Sequence, residues 1–121
     1  VQYAHARICS ILSNLEKEGV APRAVSTEEL LQLSSAEETE LIRHIACFTD
    51  EIIESAKNND PSRMTRYAME LASLFHKFYN ACRVKCDDEA LMQARLALCL
   101  ATKTVLCNLL TMLNIQAPVS M

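Results

Sequence analysis

Two aromatic–cation pairs hold the residues of this chain best suited to recognition chemistry. Tyr3 and Arg7 stand four positions apart, and Tyr79 and Arg83 repeat the spacing. Residues four apart on a helix are neighbours on one face, so each pair sets a phenol ring beside a guanidinium. The phenol offers a flat surface for stacking and the guanidinium a planar fork of donors. Unpaired bases of an RNA loop are read by stacking on such planes and by hydrogen bonds to base edges. One stacked base contributes about 1–3 kcal/mol. Spacing alone leaves an alternative open for each pair. Tyr3 can cover a bundle's end while Arg7 makes a surface ion pair, and Tyr79 can sit at a core edge with a wet hydroxyl.

Other chemistry finds little support. No glycine-rich phosphate loop occurs, which excludes a nucleotide pocket of that kind. His5, His44 and His76 fall on separate segments without a Ser or Cys partner and read as partly buried or surface histidines. The run Glu37-Glu38-Thr39-Glu40 reads as a solvated helix start. Six cysteines are irregularly spaced, mostly on the apolar side of helical patterns. They read as buried thiols of a reducing cytosol, so a cytoplasmic location is expected. Cys82 and Cys86 are one helical turn apart, but no His lies nearby to complete a metal site. The chain as it stands is expected to catalyse nothing.

These residues have to be positioned by helices. A chain of 121 residues, half of them hydrophobic, with one Gly and three Pro, suits one domain of continuous helices and has little turn chemistry for a sheet. The expectation is an all-α bundle of about five helices. The first runs from the start to about Lys17 and stops at Gly19, with Ala4, Ile8, Ile11, Leu12 and Leu15 as its apolar stripe. Tyr3, Arg7, Ser10 and Asn14 make a second, polar stripe. Ser26 opens a short helix over Thr27–Leu33, and Ser34 or Ser35 opens the next, with a break near Thr49. Asp60-Pro61 starts a helix that should reach Val84, with Phe75 and Phe78 in the core and Tyr79 and Arg83 beside them. Asp87 and Asp88 cap the last, Glu89 to Leu113, which is apolar nearly all round and so central in the bundle or covered by something else. Arg95 and Lys103 are its only cations and read as snorkelling structural residues.

Net charge is −3, unevenly spread: residues 1–60 carry five Lys/Arg against eleven Asp/Glu, residues 61–121 seven against four. An acidic half argues against a general phosphate-neutralising surface. Any RNA contact should be local and lean on stacking. Neither a signal peptide nor about 20 consecutive apolar residues is visible, so no membrane partner is expected.

Three stretches carry a family likeness: Val1-Gln2-Tyr3-Ala4-His5-Ala6-Arg7-Ile8, Phe75-His76-Lys77-Phe78-Tyr79-Asn80-Ala81-Cys82-Arg83-Val84, and the ending Ala117-Pro118-Val119-Ser120-Met121. Together they resemble the C-terminal anticodon-binding domain of bacterial arginyl-tRNA synthetases, a member of the DALR group of helical modules. Gln93-Ala94-Arg95-Leu96 occupies the place of an arginine-containing stretch on the family's last helix, while Ser26–Asn59 matches in helical pattern more than in identity. The opening then reads as the start of a fragment whose catalytic domain lies elsewhere in the same chain. By this resemblance the parent ligates L-arginine to tRNA(Arg) using ATP and magnesium, and works as a monomer. The fragment would grip the anticodon stem-loop through Tyr3, Arg7, Tyr79, Arg83 and the terminal Met121. Two alternatives stand beside it: the same module from another class I synthetase, and a protein-interaction bundle without RNA binding.

Overall fold

Residues 2–113 are described in the computed structural model of the protein, and they form six helices and no strand. The first, α1 (Gln2–Lys17), buries Ala4, Ile8, Ile11 and Leu15 as the stripe predicts, but also His5, Ala6 and Cys9, so its inward face is wider than the aliphatic pattern. It ends at Gly19, whose φ is +84°. The Val20 N–H bonds the Leu15 carbonyl at 2.8 Å and the Gly19 N–H bonds that of Glu16 at 3.0 Å. This double closure satisfies carbonyls the helix would leave open and needs a left-handed residue at its hinge.

Two short helices follow. α2 (Thr27–Leu30) and α3 (Ala36–Ala46) each open with a reciprocal capping box, Ser26 with Glu29 and Ser35 with Glu38. Arg23 bonds Glu29 at 2.6 Å and holds its carboxyl down to about 2. α3 gives way at Cys47 to α4 (Phe48–Lys57), two residues before the expected break. Cys47 stays in the right-handed region and its carbonyl still accepts the Glu51 N–H at 3.0 Å, so the break is a kink that no Gly or Pro marks. α4 ends at Asn59 in the left-handed conformation (φ 50°), with Asp60 N–H on the Ser55 carbonyl at 3.0 Å.

The two long helices build the core. α5 (Ser62–Ala81) buries Met64, Tyr67, Ala68, Leu71, Ala72, Phe75 and Phe78. α6 (Glu89–Met112), capped by the Asp88 carboxylate on the Leu91 N–H, packs against α1, α2, α3 and α5. In length and composition α6 would suffice to cross a bilayer, and in this fold it fills the centre of the bundle. Four neighbours meet part of its apolar surface, and less than half of its most apolar stretch is buried. α3 is locked to α5 by a mutual grip: the His44 ring stacks 4.0 Å from that of Tyr67, the Tyr67 hydroxyl donates to the His44 carbonyl, and His44 Nε2 donates to the Tyr67 carbonyl at 3.1 Å.

Three expectations need correcting. α5 stops at Ala81, not Val84, because Cys82 turns extended and sinks its thiol against the Ser35 hydroxyl. Glu38 is not solvated; it is buried and ion-paired to Arg95 at 3.0 Å. Cys47 is exposed, although Cys9, Cys82 and Cys99 are buried, the last with its thiol pushed up to about 12 by burial.

The α1 closure yields a test. A Cβ at Gly19 would meet nothing within 4 Å, so the requirement is conformational only. Gly19→Ala should destabilise the domain by about 1 kcal/mol and Gly19→Asn by less, since Asn tolerates the left-handed region. Urea unfolding midpoints check the ranking.

Candidate nucleic-acid interface

Tyr3 and Arg7 come from the polar stripe of α1, and Tyr79 from the last turn of α5, where α1 and α5 pack together. The Tyr3 ring is 56% exposed. Arg7 Nη1 donates to the Tyr3 hydroxyl at 3.4 Å, and its guanidinium carbon lies 5.5 Å from the Tyr79 ring centroid. Arg7 therefore bridges the two phenols. Tyr79 is half-buried and stacks at 6.2 Å and 18° on Phe75, a fully buried ring. The stripe reading thus holds for these three residues, which the packing of α1 on α5 brings to one corner of the bundle. The corner offers solvent the open Tyr3 face and a guanidinium plane, while the Tyr79 ring is overlain by Arg7.

Arg83 does not share a helical face with Tyr79. It lies past the end of α5, exposed, on a stretch where Cys82 and Val84 turn inward. A cleft of about 430 Å³ still joins the two, lined also by Asn14, Glu18 and Lys85. Lys85 Nζ bonds Glu18 at 3.2 Å with both side chains about half exposed, a pair too wet to hold the lysine firmly. A smaller hollow of about 210 Å³ lies between Tyr3, Ala6, Arg7 and Ser10. Met121 lies outside the described residues.

Sequence reading missed His76, whose ring sits 6.2 Å from that of Tyr3 and 6.1 Å from that of Phe75. Burial, then the charge of Arg7, holds its imidazole below the ordinary value. Asn14, Lys85 and Glu18 were also missed as neighbours of Tyr79. Asn14 lay on the correct stripe, but nothing local announces that residue 85 folds back beside residue 18. Arg95 is structural as expected but does not snorkel: its guanidinium turns inward, where Glu38 takes its Nε at 3.0 Å and the Arg83 carbonyl takes its Nη1. Among the described residues no group of three metal-ligating side chains gathers.

The fold and this corner define a class, an all-α binding domain with an aromatic–cation surface at the meeting of α1 and α5. The sequence matches the DALR anticodon binding domain family over residues 1–121, and the chain belongs to that family. It is 52% identical over 118 residues to an arginine–tRNA ligase of Caldanaerobacter subterraneus subsp. tengcongensis, covering 98% of this chain and 21% of that protein. The corresponding ligase of Acetivibrio thermocellus is 47% identical over 121 residues, covering 100% of this chain and 22% of that one. Two solved structures share the fold. Thermus thermophilus arginyl-tRNA synthetase superposes with a TM-score of 0.82 at 28% identity, over 99% of this chain and 20% of that one. The Plasmodium falciparum enzyme gives 0.84 at 29%, over 98% and 20%. The chain spans about a fifth of the length of the curated relatives it matches.

The corner makes His76 a reporter. Because its folded pKa is depressed, it contributes stability above the ordinary imidazole value of about 6.5, and that contribution is lost as pH falls through the folded value. In an NMR titration His76 should protonate below the ordinary value, and Arg7→Ala should move its midpoint upward.

Proposed function

We propose that this chain is the anticodon-binding part of an arginine–tRNA ligase and that it holds the anticodon stem-loop of tRNA(Arg) at the Tyr3–Arg7–Tyr79 corner. The observation that carries the reading is the bridging of an exposed phenol and a half-buried one by a single guanidinium. Family membership and the arginine-specific relatives support it and weigh against another class I synthetase.

The mechanism needs no catalysis in this part. A base freed from the loop stacks on the open face of Tyr3, and Arg7 presents its remaining donors to the base edge or a phosphate. Arg83 and Lys85 flank the neighbouring cleft and take the adjoining phosphates, while the Asn14 amide is placed to pair with a base edge. The Tyr79 ring supports Arg7 and forms one wall of the cleft. Held this way, the tRNA is oriented with its acceptor end toward a catalytic domain elsewhere in a monomeric cytoplasmic enzyme. ATP and magnesium serve that domain's ligation step. The acidic α2–α4 region keeps phosphates away from the rest of the surface.

A second reading rests on a different face. Leu31 is 74% exposed, and it lines an apolar groove with Leu30, Ile42 and Ala97 between α2, α3 and α6. Such a groove favours a protein contact, and it does not compete with RNA at the α1–α5 corner.

In the full-length ligase, Tyr3→Ala should weaken tRNA(Arg) binding more than tenfold, in line with about 1–3 kcal/mol for a stacked base, with the circular dichroism spectrum unchanged. Arg83→Ala should weaken binding across anticodon sequences and reduce the slope of log affinity against log salt by about 1. Wild-type affinity in both variants, by filter binding, would remove the corner from the RNA path.

A further inference from the structure

Arg95 is a largely enclosed cation. Its side chain is 15% exposed and that of its partner Glu38 2%. One Glu38 oxygen receives Arg95 Nε at 3.0 Å, and the other receives the Ser35 N–H at 3.1 Å, closing the α3 cap. The Ser35 hydroxyl in turn touches the Cys82 thiol at 3.4 Å. From the same guanidinium, Nη1 donates to the Arg83 carbonyl at 2.5 Å. A single buried ion pair thus ties the start of α3, the end of α5 and the first turns of α6.

What it holds is a segment with no shape of its own. Residues 82–88 contain neither Gly nor Pro. Cys82 is extended, and along the segment Cys82 and Val84 are buried while Arg83 and Lys85 are exposed. That alternation puts both cations on the outward side, beside Tyr79 in the cleft. The segment bends at residues 82, 84, 85 and 87 instead of running as a strand, so a turn of the Arg83 peptide would carry the cations out of the cleft. Thiol and valine are weak guides to backbone placement, whereas a donor fixed on the Arg83 carbonyl is a specific one. A buried ion pair adds little net stability compared with an apolar pair of similar volume, so its use at this point fits a geometric role.

We propose that Arg95 is a positioning residue for tRNA binding: through Glu38 and the Arg83 carbonyl it fixes the backbone of residues 82–86 and so presents Arg83 and Lys85 to the anticodon strand. This rests on the anticodon reading of the corner given above. Arg95 touches no RNA; it acts through its two neighbours in the cleft.

The test is a double-mutant cycle in the full-length ligase, read as affinity for a tRNA(Arg) transcript and as amide hydrogen exchange over residues 82–86. Arg95→Lys keeps the charge and loses the fork. It should weaken binding about fivefold to tenfold and speed exchange in that segment, yet change affinity less than about twofold when placed on an Arg83→Ala/Lys85→Ala background. Glu38→Gln, which keeps the cap geometry, should give the same pattern and serves if Arg95→Lys unfolds the domain. Equal losses in both backgrounds, or unchanged affinity with unchanged exchange, overturn the proposal. If Arg83→Ala/Lys85→Ala alone leaves affinity at the wild-type level while Tyr3→Ala lowers it, the positioning role falls and the corner stands. If Tyr3→Ala has no effect either, both fall.

Discussion

The contact on which the surface chemistry depends lies beneath it, at Phe75. This ring is fully buried, yet it meets Phe78 at 5.9 Å, His76 at 6.1 Å and Tyr79 at 6.2 Å. Aromatic pairs at such distances add roughly 0.5–1.5 kcal/mol beyond area burial and restrict ring orientation. The exposed chemistry inherits that restriction: Tyr79 is held by Phe75, Arg7 by Tyr79, and Tyr3 by Arg7 and His76. The aromatic–cation corner is the outermost layer of a packed core rather than a set of loops added to one.

Much of the fold follows from local signals. Serines with a glutamate three residues later open α2 and α3, Asp88 opens α6, and Gly19 closes α1. What local pattern does not reveal comes from contacts made far along the chain. The end of α5 is fixed by Ser35 and Arg95, which lie 47 residues before Cys82 and 12 after Arg83 in sequence, with no breaker at the position itself. For the same reason Glu38 looks like an ordinary solvated acid until α6 packs across it. Of the site, Tyr3, Arg7 and Tyr79 were legible because each sits on a helical stripe beside the core. The helical relation of Arg83 to Tyr79 was not, and neither was His76, because the α1–α5 packing that brings it to Tyr3 has no local signature.

The molecule divides its surface by charge and polarity. Acidic side chains gather in the first half of the sequence, whose helices also carry the exposed Leu31 and Ile42, while Arg83 and Lys85 flank the aromatic corner. A polyanion and an apolar protein surface would accordingly approach from different sides. A domain making up about a fifth of its relatives' length can serve two neighbours in this way without either excluding the other.

The Arg7 side chain rests against the Tyr79 ring with its Nη1 toward the Tyr3 hydroxyl, contacts that bias its rotamers before anything arrives. Freezing a long side chain on association costs about 0.5–1.5 kcal/mol, and here part of that entropy loss belongs to folding. A ligand meeting this corner would find part of its surface already shaped.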